Sequence, residues 1–195
     1  DPAAHYAPKV SMTLGGEDPI DGTNVYRSSD GSHWHYVTFG MSELYEKVSA
    51  DPSESGWGFE FTFRLACAAD ETLPPTWPIQ LLNNLARYVF QSSRPFEAGH
   101  RIPLNSSIHA DVESVVRAAM FVEDAELGQI QTPFGALTFL QLVGVSEAEL
   151  ELAKEVGSER VLHALNQRVP YLVVDVHRAD YGVQEDFIKE VRQAD

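Results

Sequence analysis

Trp57-Gly58-Phe59-Glu60-Phe61-Thr62-Phe63-Arg64-Leu65-Ala66-Cys67 is the stretch on which the fold turns. Trp57, Phe59, Phe61, Phe63, Leu65 and Cys67 alternate with Gly58, Glu60, Thr62, Arg64 and Ala66. A strand sends successive side chains to opposite faces, so this period of two gathers every large apolar group on one pleat face. The pattern predicts a half-buried, antiparallel strand. Further along, Thr76-Trp77-Pro78 offers a capping hydroxyl and a first-turn proline, and Ile79, Leu82, Leu85, Ala86, Val89 and Phe90 recur at spacings of three and four. This predicts an amphipathic helix from about Trp77 to Gln91, packed on the apolar face of the strand.

Upstream of these two elements, Tyr36-Val37-Thr38-Phe39 has strand composition, and the first thirty residues read as an entry segment rich in Gly, Pro, Asp and Ser. Downstream, Pro95, Gly99 and Pro103 break the pattern into a long loop. Arg117 to Val122 and Gln129 to Val145 read as strands, the latter interrupted at Thr132-Pro133-Phe134-Gly135, while residues 111–119 fit a helix equally well. Ser146-Glu147-Ala148-Glu149 is a capping box that opens a helix running to about Val156, where Gly157 ends it. Another helix starts at Ser158 and ends before Pro170; Tyr171 to Val176 reads as a last apolar strand, and Tyr181 to Asp195 as a polar amphipathic tail with no assigned place. With no internal repeat, low-complexity stretch or linker, residues 1–195 are expected to form a single α+β domain, a mixed and largely antiparallel sheet packed with helices.

The chain has 195 residues, 44% of them hydrophobic and 10% aromatic, enough to fill a core. Fourteen Lys+Arg stand against twenty-nine Asp+Glu, a formal charge of −15 that repels phosphate backbones and anionic lipid heads. Nucleic acid and membrane surfaces are therefore not expected as partners. Acids exceed bases by 10 to 3 over residues 1–60, 8 to 5 over 61–145 and 11 to 6 over 146–195, so the charge is distributed and the middle is the expected core. The one cysteine, Cys67, excludes an intrachain disulfide. No apolar run approaches the ~18–20 residues that span a bilayer. The chain opens on Asp1 with no basic-then-apolar leader, and the expected location is cytoplasmic.

Residues able to do chemistry are few. His33 and His35, two apart on a strand, project from one face, and two imidazoles there could share a zinc ion given a third ligand from elsewhere. Asp175 and His177 form a similar pair. The plainer reading is that these rings pack at a strand edge and bond backbone carbonyls. No Gly-x-Ser-x-Gly elbow occurs, and Cys67 on an apolar strand face reads as packing. Gly56-Trp57-Gly58 opens a strand where a phosphate cradle would join strand to helix, so it is read as room for close backbone approach. Glu123-Asp124 with Glu126 could form an acid/base group, though adjacent acids after a strand more often mark a solvated turn. The expectation is no enzyme, no cofactor and no metal, with a metal-assisted hydrolase built on His33 and His35 as the alternative.

Several segments carry a family resemblance together, in order and at compatible spacings. They are Asp18-Pro19-Ile20-Asp21, His33-Trp34-His35-Tyr36-Val37-Thr38-Phe39-Gly40, Gly56 through Leu65, Pro75-Thr76-Trp77-Pro78, Ala86-Arg87-Tyr88-Val89-Phe90-Gln91-Ser92 and Gln131-Thr132-Pro133-Phe134-Gly135. From about Gly15 to Arg178 the chain resembles the amino-terminal domain of the Suppressor of fused family. The resemblance implies a mixed α+β domain without catalytic activity that works by binding another protein, which in animals means restraining the Gli transcription factors of Hedgehog signalling. The animal protein grips an extended Gli peptide between two domains, and this chain ends soon after the first. Where the animal loop reads Gly-Asp-His, this chain has Gly99-His100-Arg101, so an aspartate that meets a Gli histidine is replaced by His100. That reversed polarity argues against a Gli-type partner. The length is similar to that of single-domain bacterial relatives, some regarded as immunity proteins that neutralise toxins, and a basic toxin domain would complement the acidic charge. The resemblance places Tyr88 and Glu123 at cleft-side positions, and with Phe96, His100 and Arg101 of the adjoining loop they form the expected partner surface. A tyrosine on a helix face is, on general grounds, more often core.

Overall fold

A computed structural model describes residues 1–193. Among the described residues eight strands form one sheet, in the spatial order β1 (Ala4–Tyr6), β2 (Gly22–Arg27), β3 (His33–Phe39), β4 (Glu54–Ala66), β8 (Gly135–Ser146), β6 (Val116–Glu123) and β5 (Arg101–Pro103), with β7 (Gln129–Thr132) paired on β8, and four α-helices complete an α+β fold. The contacts divide into two compact units, Asp1–Phe96 with Glu123–Gln141, and Glu97–Val122 with Leu142–Asp195.

The first unit is built on β4, Glu54–Ala66, which pairs antiparallel with β3, His33–Phe39, in a register that sets Tyr36 opposite Phe63 and His35 opposite Arg64. β2, Gly22–Arg27, pairs antiparallel with β3, and β1, Ala4–Tyr6, with β2. The expected helix is α1, Trp77–Ser92, and it lies on the predicted face: Trp77 meets Phe63 edge-on at 5.6 Å, and Phe90 meets Trp57 at 5.4 Å. Leu82, Ala86 and Val89 are fully buried there. The start of α1 differs from expectation. Thr76 sits in helical backbone at φ −95° and ψ −12°, and its hydroxyl makes no cap bond. The Thr76 carbonyl instead takes the Ile79 N–H at 3.1 Å, and Pro78 has no N–H to satisfy. β7, Gln129–Thr132, and the first half of β8, Gly135–Ser146, form a hairpin around Pro133-Phe134.

One reading of β4 is overturned. The strand is buried on both faces from Phe59 to Leu65, and Glu60, Thr62 and Arg64 are as inaccessible as Phe61 and Phe63. Alternation reports the polarity of each face; whether a polar face is covered depends on residues far away in the chain.

In the second unit, β5, Arg101–Pro103, lies in the long loop and pairs antiparallel with β6, Val116–Glu123. The helix considered for residues 111–119 is absent, and β6 begins at Val116. α2, Glu147–Val156, opens on the expected capping box: Ser146 Oγ accepts the Glu149 N–H at 3.0 Å, and Glu149 Oε2 accepts the Ser146 N–H at 2.8 Å. Gly157, at φ +98°, allows the immediate turn into α3, Ser158–Arg168. The strand expected at Tyr171 to Val176 is not formed. Pro170–Leu172 is a 3-10 turn with Tyr171 and Leu172 at positive φ, leaving only an isolated bridge at Val174. A six-residue apolar run does not separate strand from buried turn by its pattern alone. The amphipathic tail folds as α4, Glu185–Gln193, burying Phe187 and Val191 and fixed to α3 by Arg168, which donates to Glu190 at 2.6 Å and Asp186 at 3.2 Å. The last two residues of that tail, Ala194 and Asp195, lie outside the described residues.

Candidate functional site

The covered face of β4 organises the first unit. Asp124, 1% exposed, stands at its centre. Thr62 Oγ1 donates to Asp124 Oδ2 at 2.7 Å, and His35 Nε2 lies 3.0 Å from the same oxygen. Oδ1 accepts from Arg64 Nη2 at 2.9 Å and from the amides of Glu126 and Leu127 at 2.9 and 3.1 Å. Burial alone would raise the Asp124 carboxyl, but hydrogen bonds from His35, Arg64 and Thr62 outweigh it and hold the group well below the usual carboxylate range. Arg64 also donates to Glu126 Oε2 at 2.7 Å and to Gln141. The turn expected at Glu123-Asp124-Glu126 is formed, with Glu123 and Glu126 exposed, but Asp124 is not solvated: a guanidinium rooted in the middle of β4 draws it inward into a buried ion pair. An arginine between two core aromatics and a leucine was the sequence signal for it.

Glu60 is a second buried carboxylate on this face. Its Oε1 accepts the amides of Gly40, Met41 and Ser42 at 2.9, 3.1 and 2.8 Å and the Ser42 hydroxyl at 2.6 Å; its Oε2 accepts Thr38 Oγ1 at 2.8 Å. Burial pushes its carboxyl up to about 7 against the pull of Ser42, Thr38 and Gly40. Gly56 lets the chain pass here: at φ +60°, a Cβ on it would lie 2.5 Å from the Met41 carbonyl oxygen, in keeping with the close backbone approach read from Gly56-Trp57-Gly58.

His33 and His35 share a face of β3 and are both buried, yet they serve different partners, with His33 Nδ1 3.0 Å from Ser32 Oγ and His35 on Asp124. Burial lowers the His33 pKa. Among the described residues no group of three or more His, Cys, Asp and Glu side chains is arranged to hold a metal ion. Asp175 and His177 lie on no strand; Asp175 Oδ1 accepts the His177 amide at 2.8 Å in a turn. Cys67 lies just past the end of β4, half-buried, with Sγ donating to the Gly31 carbonyl at 3.3 Å and burial pushing the thiol up.

The expected partner residues fall in both units. In the first, Tyr88 is 44% exposed on α1, and its ring rests 5.6 Å from that of Phe96. Phe96 itself is 7% exposed and packs on Phe61, so it supports Tyr88 from below and its ring is not a surface contact. Glu123, at the end of β6, is exposed. In the second unit His100 is exposed, its backbone paired with Phe121 and its Nδ1 accepting the Glu97 amide at 3.2 Å. Arg101 is exposed and donates to Ser158 Oγ at 3.3 Å, while that hydroxyl donates to the Gly99 carbonyl at 2.8 Å, so α3 fixes the loop. A feature the sequence did not disclose is an apolar groove of about 730 Å³ in the first unit, lined by Val37, Phe39, Leu127, Pro133, Leu137 and Phe139 among others.

A model of the Suppressor of fused protein (SUFU) family matches residues 16–179. The chain belongs to the Suppressor of fused family. The human Suppressor of fused homolog is 38% identical over 186 residues, covering 88% of this chain and 38% of the human protein; the mouse homolog is 37% identical over the same coverage. This chain therefore spans well under half the length of those relatives. A chain in the Sufu–Fu complex crystal structure superposes with a TM-score of 0.88 at 30% identity, covering 100% of this chain and 91% of that one. Drosophila Suppressor of Fused gives 0.87 at 29% identity, covering 98% of this chain and 50% of that one. A SUFU homolog from Neisseria gonorrhoeae shares the fold, with a TM-score of 0.58 at 16% identity over 91% and 86% of the two chains. The Suppressor of fused motifs named from the sequence have structural work here: Asp18 pairs with Arg87 of α1, His35 and Arg64 hold Asp124, and Thr132 to Gly135 closes the β7–β8 hairpin.

Proposed function

We propose that this chain is a non-catalytic protein-binding domain that acts by stoichiometric occupation of a partner in the cytoplasm. The observation that carries the reading is family membership along residues 16–179, in a family where a Sufu–Fu complex has been crystallised. The ionisable groups on the covered face of β4 support it, because Asp124 and Glu60 spend their oxygens on internal donors. Tyr88 and Glu123 in the first unit and His100 and Arg101 in the second are the proposed contacts; Phe96 serves as the prop of Tyr88. The partner is a cationic protein, such as a toxin domain neutralised by an immunity protein, since a charge of −15 favours encounter with a basic surface. His100 in place of an acid makes a Gli-type factor a poor match. Affinity capture from the source cells, followed by calorimetry with the purified partner, tests this. A saturable 1:1 complex without turnover is expected, weakened by about 1–2 kcal/mol in Tyr88→Ala and changed by a comparable amount in His100→Glu, which replaces a contacting imidazole by a carboxylate. Turnover of a small molecule, or a captured partner that neither change affects by more than ~0.5 kcal/mol, would overturn the reading.

A further inference from the structure

The β7 strand has one partner among the described residues, β8. Ala136 donates its N–H to the Ser53 carbonyl at 2.7 Å and so does not bond to Gln131 opposite it. The pair is therefore of the non-hydrogen-bonded kind, which turns the N–H and C=O of Gln131 toward the unpaired edge; Gln129, two residues away, has the same orientation. That edge reads Gln-Ile-Gln-Thr, exposed from Gln129 to Gln131 and without any of the charges or inward prolines that blunt an open strand edge. Ile130, 43% exposed, and its cross-strand neighbour Leu137 both line the apolar groove. Among the described residues no Lys or Arg lines that groove; of the two acids that do, Glu60 is spent on internal donors and Glu43 pairs with Lys47 at 3.0 Å. The loop that brings exposed Leu44 to it also carries the exposed acids Glu46 and Asp51, while its one base, Lys47, is taken by Glu43.

We propose that the free edge of β7 binds an extended peptide segment of a protein partner, its main chain pairing with Gln129 and Gln131, an apolar side chain entering the groove and Lys or Arg residues flanking it. This rests on the protein-binding reading and names the segment such a partner would present. Strand addition derives affinity from main-chain hydrogen bonds and selectivity from pockets for alternate side chains, and both parts are present at this edge. The acidic loop supplies charge complementarity for the flanks.

The test is selection of random twelve-residue peptides displayed against the full chain, then affinity measurement on the synthetic winners. Expected are sequences with alternating apolar residues and Lys or Arg flanks. Their affinity should fall at least tenfold in Ile130→Lys and in Leu44→Lys, and stay within twofold in Leu73→Lys, an exposed apolar position that does not line the groove. Hydrogen exchange at the Gln131 amide should slow at least tenfold in the complex. Enrichment of no such pattern, affinity insensitive to both groove variants, or an unprotected Gln131 amide overturns the proposal. A chain that sediments as a dimer dissolved by Ile130→Lys also overturns it, by assigning the edge to a second copy. If the captured partner of the whole chain is affected by Tyr88→Ala or His100→Glu and untouched by Ile130→Lys, the groove fails while the protein-binding reading stands.

Discussion

Phe61 and Arg64 stand three positions apart on β4 and both are 0% exposed, yet opposite forces hold them. Phe61 meets rings, Phe59 at 5.0 Å and Phe96 at 6.1 Å, and its stabilisation scales with apolar area removed from water. Arg64 carries its charge into the interior and is tolerated because Asp124, Glu126 and Gln141 answer it. The apolar face accepts any residue of suitable shape, whereas the polar face is all-or-none: its ions had to be desolvated, and removing one partner strands the other.

The sharpest way to break this contrast is Asp124→Ala. Leaving Arg64 buried without its carboxylate should cost about 3–5 kcal/mol, read as the shift in urea midpoint; a loss under about 1 kcal/mol, the centre of the distribution for point mutants, would mean that water reaches the guanidinium. Phe61→Ala should cost a similar or slightly smaller amount, about 3–5 kcal/mol, with a difference in pH response. Its penalty stays constant with pH, while the polar face titrates. Asp124 has its folded pKa depressed, so its contribution is present above the unfolded value of 3.8 and lost as pH falls below it. Glu60 has its folded pKa raised from 4.5 to about 7, so its contribution is full below 4.5 and declines as pH rises through about 7. Glu60→Gln, which keeps an acceptor for the 40–42 amides, should flatten the stability curve between those two values; an unchanged slope would assign it to other groups. The smallest expected effect is that of a chelator. Dialysis against one should leave the melting temperature unchanged, and about one equivalent of zinc retained in wild type but lost in the His33→Ala, His35→Ala double variant would return the polar face to metal chemistry.

How far the sequence reached follows the same division. β4, α1, α2 and α3 were legible because each repeats a period over ten or more residues or carries its own cap, as Ser146 and Glu149 do. Tyr171 to Val176 was too short to carry a period, and a proline followed by two residues of positive φ overrode its β-rich composition. Thr76 had the right residue type for a cap, but its own helical backbone angles left the hydroxyl unused. Tyr88 was the harder reverse case: helix periodicity favours burying such a ring, and its exposure depends on Phe96 already filling the space beneath. Of the candidate site, the acidic cluster at 123–126 was visible as residues and invisible as a network, since its meaning depends on Arg64, sixty positions earlier for Asp124. The groove beside β7 left no trace in the pattern, being a space between side chains and not a motif.

The separations spanned by Asp124 have a kinetic consequence. It joins His35 across 89 positions and Thr62 across 62, and Arg64 reaches Gln141 across 77. Loop closure must be made before such contacts repay it, which slows folding in chains dominated by non-local pairs. Local elements such as α1 and the β3–β4 ladder can form first, and the polar network is completed only when residues 123–141 arrive. Asp124→Ala should accordingly leave the refolding rate nearly unchanged and place its penalty in faster unfolding, a φ-value near zero. The network then acts as a latch on the finished fold, setting how long the native state lasts once it has been reached.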